Sequence, residues 1–467
     1  MTHTPRRQFI KQGLLGTAGA TIASLGTTAK SYAAIQGAND RINLAVIGVR
    51  NQGTVHLNAF CGLKESHNVA IRTICDVDER LWGPAVSLVS QKSGVTPTTQ
   101  WDMRKVFDDK AIDAVSIVIP NHWHALAMIR AAQAGKHVYV EKPASHNIWE
   151  GRKMIEAARK YDRFVQVGLN NRSGVAVREA MAFLHGGGIG RLYMARALCF
   201  KARDSYGVAK EATAPGELHY DMWVGPAAWQ PYAEKRTHYN WHWYWNTGNG
   251  DTGNTGPHQL DLARWGLRKD EHPVTVYSAG GLYGFKTDDA TQTPGRRVYG
   301  DVEVFGHDRT TQETPNTQTA TYKYADGTLL EMETRGRYTN HEGSQGQEVG
   351  NLFFGEDGWL EISGGTWRAF KGRSREPFAG SKPDTPDGNH WGNFIAALRA
   401  GRKADLHADI HEGHLSTSLC HLANISYRTE QLLRFDGATE QFVNAPAADA
   451  LLRRPSYRQG FEVPAQV

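Results

Sequence analysis

Cysteine is scarce in this chain of 467 residues. There are four, Cys61, Cys75, Cys199 and Cys420, and no two form a CxxC pair. Neither a zinc ribbon nor a disulfide scaffold is expected. No apolar run reaches the ~18 residues that a membrane-spanning helix needs. Net charge is small, +5 from 53 basic and 48 acidic residues. Four of the basic residues, Arg6, Arg7, Lys11 and Lys30, lie in residues 1–33, which hold no acid. The rest is nearly balanced, so nothing global argues for a nucleic-acid partner. No HExxH occurs, and in the series His407, His411, His414 the first histidine precedes the helix that would have to align it. No metal site is expected. With 40% hydrophobic and 22% charged residues, disordered and low-complexity classes are excluded and a sizeable core is possible.

The chain opens with an address. Thr4-Pro5-Arg6-Arg7-Gln8-Phe9-Ile10-Lys11 resembles the twin-arginine export motif. A weakly apolar stretch of Gly, Thr and Ala follows to about Thr28, and Ser31-Tyr32-Ala33 has the small outer residues of a cleavage site. Residues 1–33 are expected to be a signal peptide and the protein to work in the periplasm or another extracytoplasmic space. The resemblance implies export in the folded state.

Strand and helix signals then alternate. Apolar runs at 41–47, 68–75, 111–119, 136–140 and 164–167 read as buried strands. Segments 54–63, 78–93, 122–134 and 148–161 read as the helices between them. This alternation predicts a parallel, doubly wound sheet. The turn after the first strand, Gly48-Val49-Arg50-Asn51-Gln52-Gly53, has the span of the G-x-G-x-x-G dinucleotide fingerprint, with Arg50 where the second Gly belongs. A guanidinium there can lie against a phosphate. The second strand ends in Cys75-Asp76, 23 residues past Gly53. An acid at that point accepts hydrogen bonds from the ribose of NAD and repels the extra phosphate of NADP. Two more strands run into Pro120-Asn121-His122-Trp123-His124 and Glu141-Lys142-Pro143, at the carboxyl edge where such sheets bind ligands. A Lys beside a positive nicotinamide ring has its ammonium form disfavoured and can handle a hydroxyl proton.

Taken together, the Gly turn, Asp76, Pro120–His124 and Glu141-Lys142-Pro143 resemble the glucose–fructose oxidoreductase / inositol dehydrogenase / MocA family over residues 41–435, most strongly over 41–172. The resemblance implies an N-terminal Rossmann domain and a C-terminal α/β domain with an open sheet, bound NAD or NADP, and sugar or polyol substrates. It implies that Lys142 stands near the nicotinamide, Asn121 and His124 beside cofactor and substrate, and Glu141 at the nicotinamide ribose. A homo-oligomer is implied as well. The family pattern of an acid, three residues, then His falls on Asn254 and His258, so the acid is replaced and the histidine kept.

The expected architecture is therefore α/β: a signal peptide at 1–33, a Rossmann domain at 38–168, a substrate domain with a mainly antiparallel sheet at 169–385, and C-terminal helices and tail at 386–467. Within the second half, 273–370 alternates in strand fashion, and Asp326-Gly327 marks a hairpin. The loops 286–297 and 371–389 read as merely polar, Asp288-Asp289 as a solvated pair, and 393–400, 410–431 and 259–267 as helices. An aromatic-rich stretch at 220–245 includes Tyr239 and Trp241, faces suited to a pyranose, interleaved with His238, Asn240 and His242. The expected cofactor site comprises Gly48, Arg50, Asn51, Gln52, Gly53, Asp76, Pro120, Asn121, His124, Glu141 and Lys142. Substrate is assigned to His124, Asn254, His258, Trp241 and Tyr239, and acid–base work to Lys142 and His258. The function expected is oxidation of a sugar or glycoside hydroxyl by hydride transfer to tightly bound NAD. The alternative is an NAD-dependent glycosidase that oxidises, eliminates, adds water and reduces back. A sugar-binding protein that merely kept the fold is disfavoured by Lys142 and His258.

Overall fold

The computed structural model describes residues 40–203, 205–283, 312–337, 339, 342–344, 348–382 and 388–467, and the backbone of two further strands at 296–299 and 302–305. The expected export leader at 1–33 and the pair Asp288-Asp289 lie outside the described residues. Ile42 to Val467 form one unit.

Short β-branched runs bounded by turns make the first sheet: β1 (Ile42–Ile47), β2 (Val69–Cys75), β3 (Thr98–Gln100), β4 (Ala114–Ile117), β5 (His137–Val140) and β6 (Val165–Val167). They are all parallel, in the order β3-β2-β1-β4-β5-β6. The order reverses between β1 and β4, the point where open parallel sheets bind ligands beyond their carboxyl ends. Both faces are covered. Leu44, Ile71 and Tyr139 pack with Leu57, Val89 and Phe394 of the helices Gln52–Gly62, Trp82–Ser93 and His390–Ala400. On the other face Val115, Ile117 and Val140 pack with Leu126, Ile129 and Met154 of the helices His124–Gln133 and Ile148–Lys160.

The second sheet has ten strands: β7 (Leu192–Cys199), β8 (Thr275–Gly281), β11 (Thr317–Lys323), β12 (Leu329–Arg335), β13 (Val349–Gly355), β14 (Gly358–Ser363), β15 (Thr366–Lys371), β16 (Pro377–Gly380), β17 (Leu433–Asp436) and β18 (Gln441–Phe442). Its order is β16-β15-β14-β13-β7-β12-β11-β8-β17-β18, with β9 (Arg296–Tyr299) and β10 (Val302–Phe305) as a separate pair. All neighbours in the large sheet are antiparallel except β7 and β12. Alternate residues of β12 (Leu330, Met332) pack with Leu260, Leu419 and Ala423 of the helices Gly256–Gly266 and Ile410–Thr429. The Asp326-Gly327 turn closes the β11–β12 hairpin, with Gly327 at φ +87.

Several elements differ from expectation. β3 and the helix Met103–Asp108 fall in a stretch with no apolar period. β3 is held by pairing with β2, and the helix is started by the Asp102 side chain accepting from Arg104 N–H. The helix Val175–His185 and β16, inside the expected polar loop 371–389, are likewise additional. The helix placed at 259–267 begins at Gly256, because Pro257 fits a first helical turn; His258 is inside it. β4 is shorter than the 111–119 run, although Val118 N–H still donates to Ile47 O. Within 386–467, β17 and β18 extend the large sheet, while the helix His390–Ala400 covers the parallel one. Among the described residues no helix is long and apolar enough to cross a membrane.

Candidate functional site

A cavity of about 300 Å³ opens at the carboxyl ends of β1, β2, β4 and β5. Its geometry starts at Gly48. The residue has φ +86, and a Cβ there would lie 2.3 Å from the Val118 carbonyl oxygen. Only glycine lets β4 pass this close to the turn. At Gly53 a Cβ would lie 2.1 Å from the Gly48 carbonyl oxygen, so the following helix seats directly on the strand exit. Arg50 takes the second glycine's place without adopting positive φ; that conformation falls on Asn51, at φ 39 and ψ −99. Arg50, Asn51 and Gln52 line the cavity.

Asp76 ends β2 at the cavity wall. Its Oδ2 accepts from Val49 N–H (2.9 Å) and its Oδ1 from Asp78 N–H (3.0 Å). The carboxylate thus ties the Gly turn to the end of β2. Burial pushes its pKa up to about 6, against the opposing pull of those two N–H groups and of Arg50. Val77, Leu81, Trp101 and Met103 form an apolar slot beside it. Trp101 is stacked on His219, at 4.2 Å and 10°. Trp101 and Met103 were missed in the sequence because β3 and the helix after it carry no pattern.

Glu141 and Lys142 lie across the cavity, at the end of β5. Glu141 Oε1 meets His56 Nε2 at 2.9 Å, and His56 Nδ1 meets Ser116 Oγ at 2.8 Å. Burial works to raise the Glu141 carboxyl, but His56 and Lys142 outweigh it and hold it at about 2. Glu141 is therefore a charged wall of the site. His56 is fully buried among Tyr139, Phe60 and Trp391. It gave no motif signal, being one apolar-face residue of a helix.

Lys142 Nζ donates to the Asn254 carbonyl oxygen (2.9 Å) and lies 3.3 Å from Asn254 Oδ1. Burial lowers its pKa, Lys201 and Arg203 act in the same direction, and Glu141 opposes. Asn254, in the place of an acid, therefore grips the amine without adding charge. His258, in the first turn of the next helix, is close enough to feel Lys142 and Glu141. Burial and Lys142 lower its pKa to about 3, and its Nδ1 is buried without a partner.

A segment of the second domain roofs the cavity. His219 N–H donates to Val77 O, and Glu79 N–H to Glu217 O, pinning this segment to the end of β2. Trp223, His238, Tyr239, Trp241 and His242 face in from it. His242 is stacked on Trp241 at 3.6 Å, and its Nδ1 donates to Tyr239 O at 2.5 Å. Burial lowers its pKa to about 3, so the ring is neutral and its Nε2 is an acceptor.

Of the expected site residues, Gly48, Arg50, Asn51, Gln52, Asp76, Pro120, Glu141, Lys142, Tyr239, Trp241 and Asn254 line this one cavity. Gly53, Asn121, His124 and His258 do not. His124, expected beside cofactor and substrate, faces the protein interior. Its ring nitrogens lie 2.7 Å from the carbonyl oxygens of Pro143 and Ile119, so it ties two loops together and offers neither nitrogen to the cavity. Asn121 is also internal, donating to Asn249 Oδ1 at 2.6 Å. The histidine series does not assemble. His407 meets Ser173 Oγ, whereas His414 joins His272 on Glu440.

The pattern has known counterparts. Residues 42–169 match the model of an oxidoreductase family with an NAD-binding Rossmann fold, and residues 204–284 the model of its C-terminal alpha/beta domain. A levoglucosan dehydrogenase of Pseudarthrobacter phenanthrenivorans is 38% identical over 91 residues, 20% of this chain and 23% of that protein. A glycosyl hydrolase family 109 protein of a Shewanella species is 28% identical over 177 residues, 34% of this chain and 38% of that protein. The matched stretches thus span well under half of either relative. The solved structure of a levoglucosan dehydrogenase with NADH and levoglucosan superposes with TM-score 0.60 and 18% identity, over 84% of this chain and 99% of that one. That likeness is one of fold.

Proposed function

We propose that the chain is a member of the glucose–fructose oxidoreductase / inositol dehydrogenase / MocA family of NAD-binding oxidoreductases, whose models match residues 42–169 and 204–284, and that it is an exported enzyme that oxidises a hydroxyl of a sugar or glycoside with tightly held NAD. The observation that carries this reading is one cavity with the Gly48 turn and Asp76 at one end and Lys142, gripped by Asn254, at the other.

The residues present fit a dinucleotide. The Gly48 turn lines the cavity, Arg50 supplies positive charge for a pyrophosphate, and Asp76 keeps acceptor lone pairs for a ribose diol. The slot of Trp101 and Met103 suits a flat adenine. When bound, the nicotinamide supplies the two-electron redox chemistry that no side chain here provides. Lys142 receives the substrate hydroxyl proton, its charged form being disfavoured by burial. Asn254 fixes the direction of that amine, and Glu141 stays ionised beside it. The Trp241–His242 stack limits water and offers an apolar face to a sugar ring. The neutral His242 and the half-buried His258 provide uncharged hydrogen-bonding groups near Lys142, in keeping with an acid–base role for the His258–Lys142 pair.

Export rests on the Arg6-Arg7 motif and the Ser31-Tyr32-Ala33 site. Outside the cytoplasm free NAD is scarce, so the nucleotide must stay bound and be regenerated in place by a second substrate. The test is to purify the protein from the periplasm without added NAD, denature it and assay for dinucleotide. A panel of sugars and glycosides is then screened for absorbance of bound NADH. Release of about one NAD per chain and reduction by at least one sugar are expected; an empty protein that fails to bind added NAD overturns the reading. The similarity to a glycosyl hydrolase family 109 protein favours a second reading, transient oxidation in a glycosidase. Aglycone release from an aryl glycoside, with bound NAD unchanged at the end, selects it.

A further inference from the structure

A second cavity, of about 280 Å³, lies away from the nucleotide cavity, between the helix Ile410–Thr429, the C-terminal tail and the segment after Pro143. Three arginines line it, Arg428, Arg453 and Arg454, and no Asp or Glu is among its lining residues. Arg454 is 8% exposed. Its NH1 donates to the Asn246 carbonyl oxygen at 2.9 Å and its Nε faces Glu150 Oε1 at 3.4 Å, but its NH2 is buried without a hydrogen-bond partner. Glu150 also accepts from Tyr457 O–H at 2.9 Å, so one shared carboxylate answers the buried guanidinium. Arg428 lies over the Trp245 ring, 5.1 Å from its centroid, and Glu313 is the acid near it. The Glu313 carboxylate already accepts from Trp245 N–H at 2.8 Å. Arg453 has no ion-pair partner among the described residues. His421, 3% exposed in the middle of its helix, lines the same cavity with Nε2 unpartnered.

Like charges held around a cavity repel unless an anion sits among them, and guanidiniums match oxyanions in geometry as well as charge. We infer that this cavity is a second ligand site, built for a small anion carrying a phosphoryl or carboxylate group. Trp245 supplies a flat apolar wall for the remainder of such a ligand. The two cavities share no lining residue, but one hydrogen-bonded chain runs from this one to the segment that follows Lys142. Asn249 lines it and donates to the His146 carbonyl oxygen at 3.2 Å, while its Oδ1 accepts from Asn121. His146 follows Lys142 by four residues. An anion here is thus placed to act on the loop that carries Lys142, and its recognition does not depend on which sugar is oxidised.

The test uses the full mature chain with its dinucleotide in place, titrated calorimetrically with inorganic phosphate, with gluconate and with neutral glucose. Arg428→Ala/Arg453→Ala removes the two exposed guanidiniums and leaves the buried Arg454–Glu150 pair, so the fold is retained; a thermal melt verifies this. Arg50→Ala controls for anions entering the nucleotide cavity. Expected is saturable binding of phosphate or gluconate with Kd about 1 mM or tighter, weakened tenfold or more by the double substitution and unchanged by Arg50→Ala. Tighter phosphate assigns a phosphoryl ligand, and tighter gluconate a carboxylate. Absence of saturable binding by both anions, binding that survives the double substitution, or binding lost with Arg50→Ala overturns the proposal.

Discussion

Asp76 offers a test in which two measurements must move in opposite directions with pH. Its carboxyl is buried at the end of β2 and its pKa is raised from 3.8 to about 6. A raised pKa means that the folded chain holds the proton more tightly than the unfolded chain. The stability due to this group is therefore fully present below pH 4 and lost as pH rises through 6. The shift corresponds to about 3 kcal/mol at 1.36 kcal/mol per unit. NAD binding has the reverse sign, because the ribose hydroxyls need the ionised carboxylate as acceptor. With a pKa of about 6, roughly one molecule in eleven is ionised at pH 5, so the Kd for NAD rises about tenfold between pH 7.5 and pH 5. Stripped protein is titrated with NAD by calorimetry across that range, and its denaturant midpoint is followed in parallel. In Asp76→Asn the binding is weaker and its dependence on pH is flat, and the wild-type-minus-variant stability difference shrinks by about 3 kcal/mol from pH 4 to pH 7. His238 also lines the cavity and its pKa is lowered from 6.5, chiefly by burial, so His238→Gln serves as the control that keeps the slope. A tenfold slope that persists in Asp76→Asn, or a flat wild-type profile, refutes the assignment of Asp76 as the ribose acceptor.

Lys142→Met removes the amine that faces the cavity; turnover is expected to fall by about 10²–10⁴ while dinucleotide content after purification is unchanged. Asn254→Asp places a carboxylate about where Oδ1 now stands, 3.3 Å from Lys142 Nζ. A charge there favours the ammonium form, so the rising limb of the pH–rate profile is expected to move up by about 1 unit or more, read from kcat between pH 6 and 10. His56→Leu leaves the Glu141 carboxylate buried without its ring partner. A loss of about 3–5 kcal/mol is expected, measured as a shift in urea midpoint, with Ser116→Ala costing much less.

The parallel sheet was legible because all its strands but β3 are mainly apolar. Their burial on both faces leaves little alternation to blur, and the runs end at Gly48, Asp76, Pro120, Glu141 and Gly168. What stayed hidden has a common physical origin. β3 exists because β2 offers a free edge, and the helix Met103–Asp108 because Asp102 caps it; neither carries a period of its own. The cavity's apolar slot, with Trp101 and Met103, falls in that unpatterned stretch and was missed with it. The roof was half legible. Tyr239 and Trp241 stood out as aromatics, but only the pinning of His219 to Val77 and Glu79 to Glu217 brings them over the cavity.

Histidines show the limit most clearly, because residue type says nothing about where a ring's two nitrogens go. His124 stands in a motif beside the site, yet both of its nitrogens are taken by carbonyl groups. His56 stands in no motif, yet its Nε2 fixes the charge state of a cavity wall. Asn254 completes the point from the other side. The sequence shows an acid replaced by an amide, which reads as a loss of charge support for an imidazolium at His258. In the folded chain the partner that matters is Lys142, and a neutral acceptor serves it differently from an acid. It directs the amine without raising its pKa, leaving burial and the nearby Lys201 and Arg203 to lower it. The substitution thus favours the uncharged amine, and in the proposed reaction the hydroxyl proton would pass to Lys142 rather than to His258, whose charged form burial disfavours.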